Sequence, residues 1–236
     1  MNLAAPAPFT LEDAPKSRAS PEPAPAQLGR ITLHHSDCMD IMREMPDKAF
    51  DLAIVDPPYG IGWDGQREDR ASNRLHHERK GWDQEPPQPE YFAELRRVSN
   101  DQIIWGANYM VENLNASPCW VIWDKMQEFS GAVFEMAWTS FSSPAKAFRM
   151  SRVEAYANQD KIHPTQKPVA LYRWLLAKYA QPGQRILDTH LGSGSHAIAA
   201  HYAGMEFVGI EKDADYFAAA RERIKRETSQ IELFSP

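Results

Sequence analysis

The sequence predicts an α/β fold with a doubly wound, mostly parallel sheet. Short apolar runs alternate along the chain with segments of helical spacing, which favours a parallel sheet with helices on both faces. Two of these runs end directly in an acid, at Asp56 and at Asp188. Because open α/β sheets bind their ligands beyond the carboxyl ends of the strands, these acids are the first candidates for a functional site.

The composition indicates one sizeable domain. A chain of 236 residues with 43% hydrophobic residues can bury a substantial core. Residues 1–28 are rich in Pro and Ala and contain no apolar segment of the signal-peptide type, so we expect a disordered tail there and a single domain over 29–236. Two polar stretches, near 60–90 and 142–162, predict small insertions in this domain.

The composition also argues against several classes of protein. No apolar run approaches the roughly 18 residues that a membrane-spanning helix needs. Cys38 and Cys119 are too few for a disulfide framework and lie in no metal-ligand spacing, so a cytoplasmic location and no metal are expected. The net charge of −6 means that any contact with nucleic acid has to come from local basic segments.

The elements of the first half follow from periodicity and from the residues that stop each run. The run 31–35 alternates like a strand, and the apolar run 52–55 must stop before Pro57 and Pro58, because Pro cannot continue a strand ladder. The predicted elements up to residue 141 are strands at 31–35, 52–55, 102–105, 120–123 and 134–141 and helices at 39–45 and 89–98.

The second half shows the same alternation after a polar connector over 142–161. Its last helix is amphipathic, and its central helix is rich in Ala and follows a glycine pair. The predicted elements are a helix opened by 163–168 and reaching about residue 179, strands at 185–188 and 206–211, and helices at 197–203 and 213–227.

The tetrapeptide Asp56-Pro57-Pro58-Tyr59 offers two hydrogen-bond acceptors and an aromatic face at the end of a strand. The prolines stiffen the backbone, so the Pro57 carbonyl and the Asp56 carboxylate can point the same way. This combination suits a planar group with an exocyclic amine, and a nucleobase is the obvious candidate. A rigid turn with Asp56 capping a helix and Tyr59 in the core is the alternative at this point.

A second group of residues predicts a nucleoside pocket. Asp188 is followed by Gly192-Ser193-Gly194 at a helix start, and Glu211 ends the next strand about 20 residues later, the spacing at which doubly wound folds bind a ribose. The full dinucleotide fingerprint is absent because residue 197 is Ala, so a nucleoside without phosphates is favoured. A Gly-x-Gly that only serves a strand-to-helix turn remains the alternative.

Two further segments have both a structural and a functional interpretation. Asp37 ends a strand and is a natural N-cap for the helix that follows, a role compatible with a ligand contact. In the segment 163–168, which reads His-Pro-Thr-Gln-Lys-Pro, Thr165 is predicted to cap a helix with Pro168 in its first turn.

Taken in order, these segments resemble the β class of S-adenosyl-L-methionine-dependent DNA amino-methyltransferases. The resemblance spans about residues 31–227 and implies a Rossmann-like, circularly permuted fold with a seven-stranded sheet. An Asp at position 56 resembles the adenine-N6 enzymes, whereas the cytosine-N4 enzymes more often have Ser there. The segments that carry it are Ser36-Asp37-Cys38, Asp56-Pro57-Pro58-Tyr59, 163–168, 188–194 and Glu211.

The resemblance implies a role for each matching residue. Asp56, Pro57, Pro58 and Tyr59 form the catalytic motif, in which Asp56 and the Pro57 carbonyl hold the amine hydrogens and Tyr59 stacks on a flipped-out adenine. The residues implied in binding S-adenosyl-L-methionine are Asp37 at its adenine end, Glu211 at its ribose, Asp188, Gly192, Ser193 and Gly194 at its methionine half, and Thr165, Gln166 and Lys167 closing over it.

The chain departs from the family pattern in the cofactor motif. Thr189-His190 stand where the family usually has Pro-Phe, and Ser195-His196 stand where it usually has Thr-Thr, although Ser195 can still cap a helix. His190 therefore changes the pocket wall. Two other segments shared with similar proteins, 106–109 and 123–125, are expected to be pocket walls without an assigned role.

The resemblance also implies double-stranded DNA as the partner, with methylation of the restriction–modification kind. Two basic segments are the candidates for DNA contact, and solvated loops are their alternative interpretation. Neither is large enough for an elaborate recognition domain, so a short target site or help from a second subunit, as a homodimer, is expected. The candidate DNA-binding residues are Arg67, Arg70, Arg74, Arg79, Lys80, Lys146, Arg149 and Arg152.

Three alternatives to adenine methylation stay open. One is methylation of cytosine N4 in DNA. Another is methylation of a different amine or amide, such as a glutamine side chain or an RNA base, although those relatives usually have Asn before Pro-Pro-Tyr. The third is a catalytically silent module that binds DNA or the cofactor.

Overall fold

A nine-stranded mixed sheet organises the chain in the computed structural model, in the order β1-β2-β9-β8-β3-β4-β6-β5-β7. The structure describes residues 24–63, 80–126, 132–157 and 161–229. The strands are β1 Ala26–Leu28, β2 Ile31–His35, β3 Phe50–Val55, β4 Ser99–Trp105, β5 Trp120–Asp124, β6 Phe134–Thr139, β7 Lys146–Arg149, β8 Arg185–Asp188 and β9 Glu206–Glu211. The helices are α1 Cys38–Glu44, α2 Pro89–Val98, α3 Arg152–Tyr156, α4 Val169–Tyr179, α5 Ser195–Tyr202 and α6 Ala214–Ser229.

The centre of the sheet is parallel, as the sequence predicts, whereas antiparallel pairs occur nearer both edges, and β5 pairs in parallel with the edge strand β7. Strands β2, β9, β8, β3 and β4 pair in parallel in that order. β6 runs antiparallel to both β4 and β5, and β1 runs antiparallel to β2. The sheet is thus mixed and has nine strands rather than the predicted seven, and five of its eight neighbouring pairs are parallel.

Several element boundaries differ from the sequence prediction. Ala26–Leu28 form β1, although they lie in the predicted tail, and residues 1–23 lie outside the described residues. The predicted polar connector contains β7 and the short helix α3. Helix α4 begins only at Val169, with Pro168 as its N-cap, so Thr165 is not the cap. Pro168 disfavours helical backbone in the residue before it, which moves the start of the helix beyond the proline.

The strand neighbours bring the two predicted sites together. β3 pairs in parallel with β8, with Leu52 opposite Ile186 and Ala53 opposite Leu187. Alternate residues of β3 pack into apolar layers on opposite faces of the sheet, which hold the strand from both sides. The carboxyl ends of β3 and β8, which carry Asp56 and Asp188, therefore lie side by side at one edge. No helix in the described part of the chain combines the length and the apolar character that a membrane span requires.

Candidate active site

Asp56 lies at the carboxyl end of β3 with a donor on each carboxylate oxygen. The Tyr59 hydroxyl donates to Oδ1 over 2.6 Å, and Nζ of Lys167 lies 2.5 Å from Oδ2. Lys167 also pairs with Oε2 of Glu135 at 3.1 Å, and Lys125 pairs with Oε1 of the same glutamate at 2.7 Å. No helix begins after Asp56, since residues 56–63 carry no regular structure, so the interpretation of Asp56 as a helix cap is wrong.

Burial and neighbouring charges shift the acidity of this group. Burial raises the pKa of Asp56, Lys167 opposes this effect, and the Glu135 carboxylate adds to it. Burial also acts to raise the pKa of Glu135, but Lys167 and Lys125 outweigh it and lower that pKa to about 2. Burial acts to lower the pKa of Lys167, and the two carboxylates outweigh it and raise that pKa. Two partly buried acids thus share a buried lysine that stays charged.

Tyr59 is held in a close fit at the mouth of the site. Its ring stacks on Tyr109 with centroids 5.4 Å apart and an angle of 18°. Gly106 adopts a φ of +67°, and a Cβ there would lie 2.0 Å from the Tyr59 ring. The segment 106–109, expected only as a pocket wall, is therefore the surface against which Tyr59 packs. Tyr59 is half-buried and packs against one of the two apolar clusters of the sheet, so the alternative that packs it against the core stays open.

Asp83 holds the loop that follows the motif Asp56–Tyr59, and no pattern in the sequence indicated this role. Its Oδ1 accepts from the backbone N–H of Tyr59 at 2.7 Å and of Gly60 at 2.9 Å, and its Oδ2 accepts from that of Trp63 at 2.7 Å. Asp83 itself is 2% exposed. A single aspartate in a polar stretch without periodicity cannot be distinguished from a solvated acid, which is why sequence reasoning missed it.

Glu211 and Asp37 end the neighbouring strands β9 and β2. Glu211 accepts from the backbone N–H groups of Gly192 and Asp213, each at 2.9 Å. Burial raises the pKa of Glu211, against these two hydrogen bonds. Asp37 is the N-cap of α1, as expected, and its other oxygen pairs with Lys212 at 2.8 Å. Burial acts to raise the pKa of Asp37, but the bonds from Lys212 and Met39 lower it.

The two glycines of the Gly-Ser-Gly segment have different surroundings. A Cβ on Gly192 would meet only the His163 ring, at 3.8 Å, so this position is open. A Cβ on Gly194 would lie 2.8 Å from Ile224, so this glycine is required for packing α5 against α6. The Ser193 side chain is buried with its hydroxyl 3.1 Å from that of Ser195, which is the first residue of α5 rather than its cap. Gly192 is thus the member with room for a ligand.

Asp188 is turned towards the interior. Its Oδ2 lies 3.0 Å from Nδ1 of His196, and its Oδ1 accepts from the backbone N–H of His190 at 3.0 Å. Both Asp188 and His196 are buried. The departure at His196 therefore supplies the partner that a buried carboxylate at Asp188 requires. Any contact of Asp188 with a ligand remains a prediction.

His190 follows the end of β8, where it replaces the Phe that the family pattern has in the pocket wall. Its Nδ1 lies 2.9 Å from the Thr189 hydroxyl, which is itself 2.7 Å from the Tyr91 hydroxyl. Burial lowers the pKa of His190 to about 4, against the carboxylates of Asp188 and Asp37. The ring is therefore neutral at pH 7, and the wall adds no positive charge to the site.

We expect the stability conferred by residue 190 to depend on pH. The unfolded chain binds a proton at the ordinary His pKa of 6.5, whereas folded His190 binds it only near 4. The unfolded state therefore holds more protons between these values, and the free energy of unfolding falls as the pH drops from about 6.5 to about 4. His190→Phe should remove this component, as measured by urea unfolding across that window. His201→Phe, the control, should keep the pH-dependent component. If wild type and His190→Phe showed the same pH slope, His190 would not be its source.

The segment 163–168 divides between the two sites. The His163 ring faces Gly192, and its Nδ1 lies 3.1 Å from the Thr165 hydroxyl. Gln166 is buried, with its side-chain oxygen accepting from the backbone N–H of Ile162 and its carbonyl accepting from the Tyr156 hydroxyl. Lys167, predicted to lie over the cofactor, instead contacts Asp56. The sequence did not indicate the pairing of Lys167 with Asp56, because the two residues are 111 positions apart.

The predicted DNA-binding residues fall into three groups. Arg67, Arg70, Arg74 and Arg79 lie outside the described residues. Lys80 pairs with Asp213 and with Asp215, at 2.6 Å each, which anchors its segment to α6, and its contact with phosphates stays a prediction. Lys146 and Arg149 lie on β7, where Arg149 is 3.5 Å from Asp124, and Arg152 begins α3.

Comparison with known proteins agrees with this arrangement. Residues 112–222, which include Glu135, Lys167, Asp188 and Glu211, match the family model described as DNA methylase. The matched region spans slightly less than half of the chain. The motif Asp56–Tyr59 lies before this region, in the order that the resemblance to the permuted class predicts. Among the described residues, no group of three His, Cys, Asp or Glu side chains is placed to hold a metal ion.

The individual relatives of this chain are distant in sequence. The Type II methyltransferase M.HinfI of Haemophilus influenzae is 25% identical over 260 residues, covering 86% of this chain and 72% of that protein. M1.HpyAVI, solved as a complex with SAM, superimposes with a TM-score of 0.54 at 19% identity, covering 82% of this chain and 98% of that one. The cytosine-N4-specific PvuII DNA methyltransferase superimposes with a TM-score of 0.57 at 11% identity, covering 87% and 93%. These two structures show the shared Rossmann-like fold.

Proposed function

We propose that this protein transfers a methyl group from S-adenosyl-L-methionine to N6 of adenine in double-stranded DNA. The observation that carries the proposal is the position of the Asp56 carboxylate at the carboxyl end of β3, beside β8 and the open backbone at Gly192. A base held at Asp56 and a cofactor held over Gly192 would lie at the same edge of the sheet.

The residues at the ends of β2, β9 and β8 fit the cofactor. Gly192 leaves space for a ligand against the backbone, and its N–H is bound to Glu211, a half-buried carboxylate suited to ribose hydroxyls. Asp37 follows the end of β2, which pairs with β9, and would contact the adenine end. When bound, the cofactor supplies an activated methyl group. Contacts of Thr165, Gln166, Ser193 and Gly194 with the cofactor remain part of the proposal.

Asp56 and the Pro57 carbonyl would act on the target amine through its hydrogens. An exocyclic amine is a poor nucleophile because its lone pair is delocalised into the ring. Two acceptors on its hydrogens would favour a tetrahedral nitrogen whose lone pair attacks the methyl carbon while the bond from that carbon to sulfur breaks and the sulfur keeps the electron pair. The nitrogen would then lose one proton towards Asp56. The Tyr59 ring would hold the flipped base in place. Positioning and electrostatics thus supply most of the rate enhancement.

Adenine is favoured over cytosine by the residue at position 56. The fold does not distinguish the two amines, because the cytosine-N4-specific PvuII enzyme shares it. Asp rather than Ser precedes Pro-Pro-Tyr in this chain, which resembles the adenine enzymes. A carboxylate is also a stronger acceptor for an amine hydrogen than a hydroxyl.

The DNA contact is proposed for the other basic residues that the sequence predicts. These are Arg67, Arg70, Arg74 and Arg79 before Lys80, together with Lys146, Arg149 and Arg152 beside β7. Charge reversal at Arg74 and Arg79 tests the first group, because lost phosphate contacts reduce the dependence of affinity on salt. The mass of the protein–DNA complex tests whether a second subunit completes the DNA site, because it shows how many copies of the chain are bound.

The function is tested by incubating the full chain with DNA and S-adenosyl-L-methionine labelled in its methyl group. We expect the label in N6-methyladenine after digestion of the DNA to nucleosides and chromatography. Label in N4-methylcytosine would replace the target by the alternative base. Label in RNA or protein added to the same reaction, or no label with the cofactor still bound, would contradict the proposal.

A further inference from the structure

Asp56 is the end of a chain of alternating charges that the proposed chemistry leaves without a role. Lys125 pairs with Glu135, Glu135 with Lys167, and Lys167 with Asp56, at 2.7, 3.1 and 2.5 Å. The Lys167 side chain is 2% exposed, and that of Glu135 is 25% exposed. Buried charges are costly unless they are paired, so an extended series of this kind at the reacting carboxylate calls for an explanation.

We propose that Lys167 is a positioning residue that keeps Asp56 ionised and fixed in rotation, and that Glu135, held by Lys125, limits how strongly Lys167 acts. This inference rests on the proposed function, because it concerns the carboxylate that would receive the amine. It gives a role to the segment 123–125, which ends in Lys125. It also assigns Lys167 to the Asp56 carboxylate instead of to the cofactor.

The hydrogen-bond geometry supports the positioning role. Lys167 occupies one lone pair of Oδ2, and the Tyr59 hydroxyl occupies one lone pair of Oδ1. Lys167 also lies 3.3 Å from the Tyr59 oxygen, which closes the arrangement. Each carboxylate oxygen of Asp56 keeps a second lone pair, so the group remains able to accept a hydrogen from an amine. A protonated Asp56 would instead offer a donor and lose part of this capacity.

The surrounding charges act on Asp56 with opposite signs. Lys167 lowers the pKa of Asp56, and Glu135 raises it together with burial. Glu135 has a pKa of about 2, so it remains a full negative charge at any pH where DNA is stable. The titratable or charged groups that interact with this cluster are Tyr59, Tyr91, Lys125, Glu135, Tyr156, Lys167 and Tyr172.

These opposite signs separate a positioning role from a structural one. If the cluster only joined β6 to the segment 163–168, removing either charge would weaken the fold and reduce activity at every pH. If Lys167 and Glu135 control Asp56, the acid limb of the pH profile must move, and it must move in opposite directions for the two changes. Activity rises through that limb because Asp56 has to lose its proton.

The test is the pH profile of single-turnover methyl transfer with saturating DNA and S-adenosyl-L-methionine. We expect Lys167→Met to move the midpoint of the acid limb up by about 1–3 pH units, the usual effect of removing an opposite charge at this distance. Glu135→Gln should move it down, and Lys167→Arg should restore it towards the wild-type value. Lys178→Met, an exposed lysine at the end of α4, is the matched control and should leave the midpoint unchanged.

A lower rate for Lys167→Met with an unchanged midpoint would overturn the proposal, as would shifts of the same sign for Lys167→Met and Glu135→Gln. Carbon-13 NMR titration of the aspartate carboxyl groups, with Asp56→Asn to assign the signal, measures the same shifts without turnover. Glu135→Gln keeps the shape of the side chain and leaves Lys167 paired with Asp56, so it serves if Lys167→Met does not fold. If the wild-type protein transfers no methyl group to adenine, the proposed function fails, and the NMR shifts still decide whether Lys167 and Glu135 control Asp56.

Discussion

Asp56→Ala is expected to abolish methyl transfer while the protein still folds and binds S-adenosyl-L-methionine. The substitution removes the acceptor for the amine hydrogen, and loss of one preorganised group of this kind lowers kcat by about 10²–10³-fold. Folding should survive because Lys167 keeps Glu135 as a partner at 3.1 Å. The rate is measured as label transferred to DNA, and cofactor binding is measured by calorimetry.

The matched control for Asp56 is Asp101→Ala. Asp101 lies in the first half of the neighbouring strand β4, away from the carboxyl edge, where it accepts from the Ser140 hydroxyl at 2.8 Å. It should retain wild-type methyl transfer apart from any loss of stability. An Asp56→Ala protein that kept most of its activity would refute the assignment of this carboxylate, whatever the control showed.

Gly106→Ala is expected to impair activity as strongly through a single methyl group. The added Cβ would lie 2.0 Å from the Tyr59 ring, so the ring must leave its place against Tyr109 and the Asp56 carboxylate. A displacement of about 1 Å at a reacting centre can cost about 10² in rate. The φ of +67° at this position adds about 1–2 kcal/mol of strain for any residue with a Cβ.

Gly29→Ala is the control that separates backbone strain from the steric clash between an added Cβ and the Tyr59 ring. Gly29 has a φ of +60°, and nothing lies within 4 Å of a Cβ built there. Both variants should therefore lose stability by thermal unfolding, and only Gly106→Ala should lose methyl transfer and weaken DNA binding at the target base. Equal activity in the two variants would mean that Tyr59 does not need this place for catalysis.

The signals that succeeded in the sequence were local. Helix α2 is found at its predicted bounds, Pro89–Val98, and strand β9 at 206–211, because each has a regular apolar period and clear stop residues. The proline pair after β3 and the glycines after β8 mark the strand ends that carry the site. These patterns act over a few residues, and backbone sterics alone enforce them.

The signals that failed involved weak periodicity or edge pairing. β1 and β7 are short edge strands of 3 and 4 residues, and a strand of this length gains its stability from the neighbour that it pairs with. The segment 163–168 was expected to open a helix, but Pro168 is followed by the first helical residue, and the preceding turn serves to place Lys167. Neither result can be derived from the residues in isolation.

The sequence by itself determined the class of fold, the order of the two sites along the chain and the acid at position 56. Only the tertiary structure decided what surrounds that acid: Lys167 comes from 111 positions away, and Gly106 leaves the space that Tyr59 fills. The physical reason is that local patterns specify where a strand begins and ends, whereas the pairing of buried charges and the fit of a ring depend on which strands become neighbours. β3 lies between β8 and β4 in the sheet, and that order assembles the site.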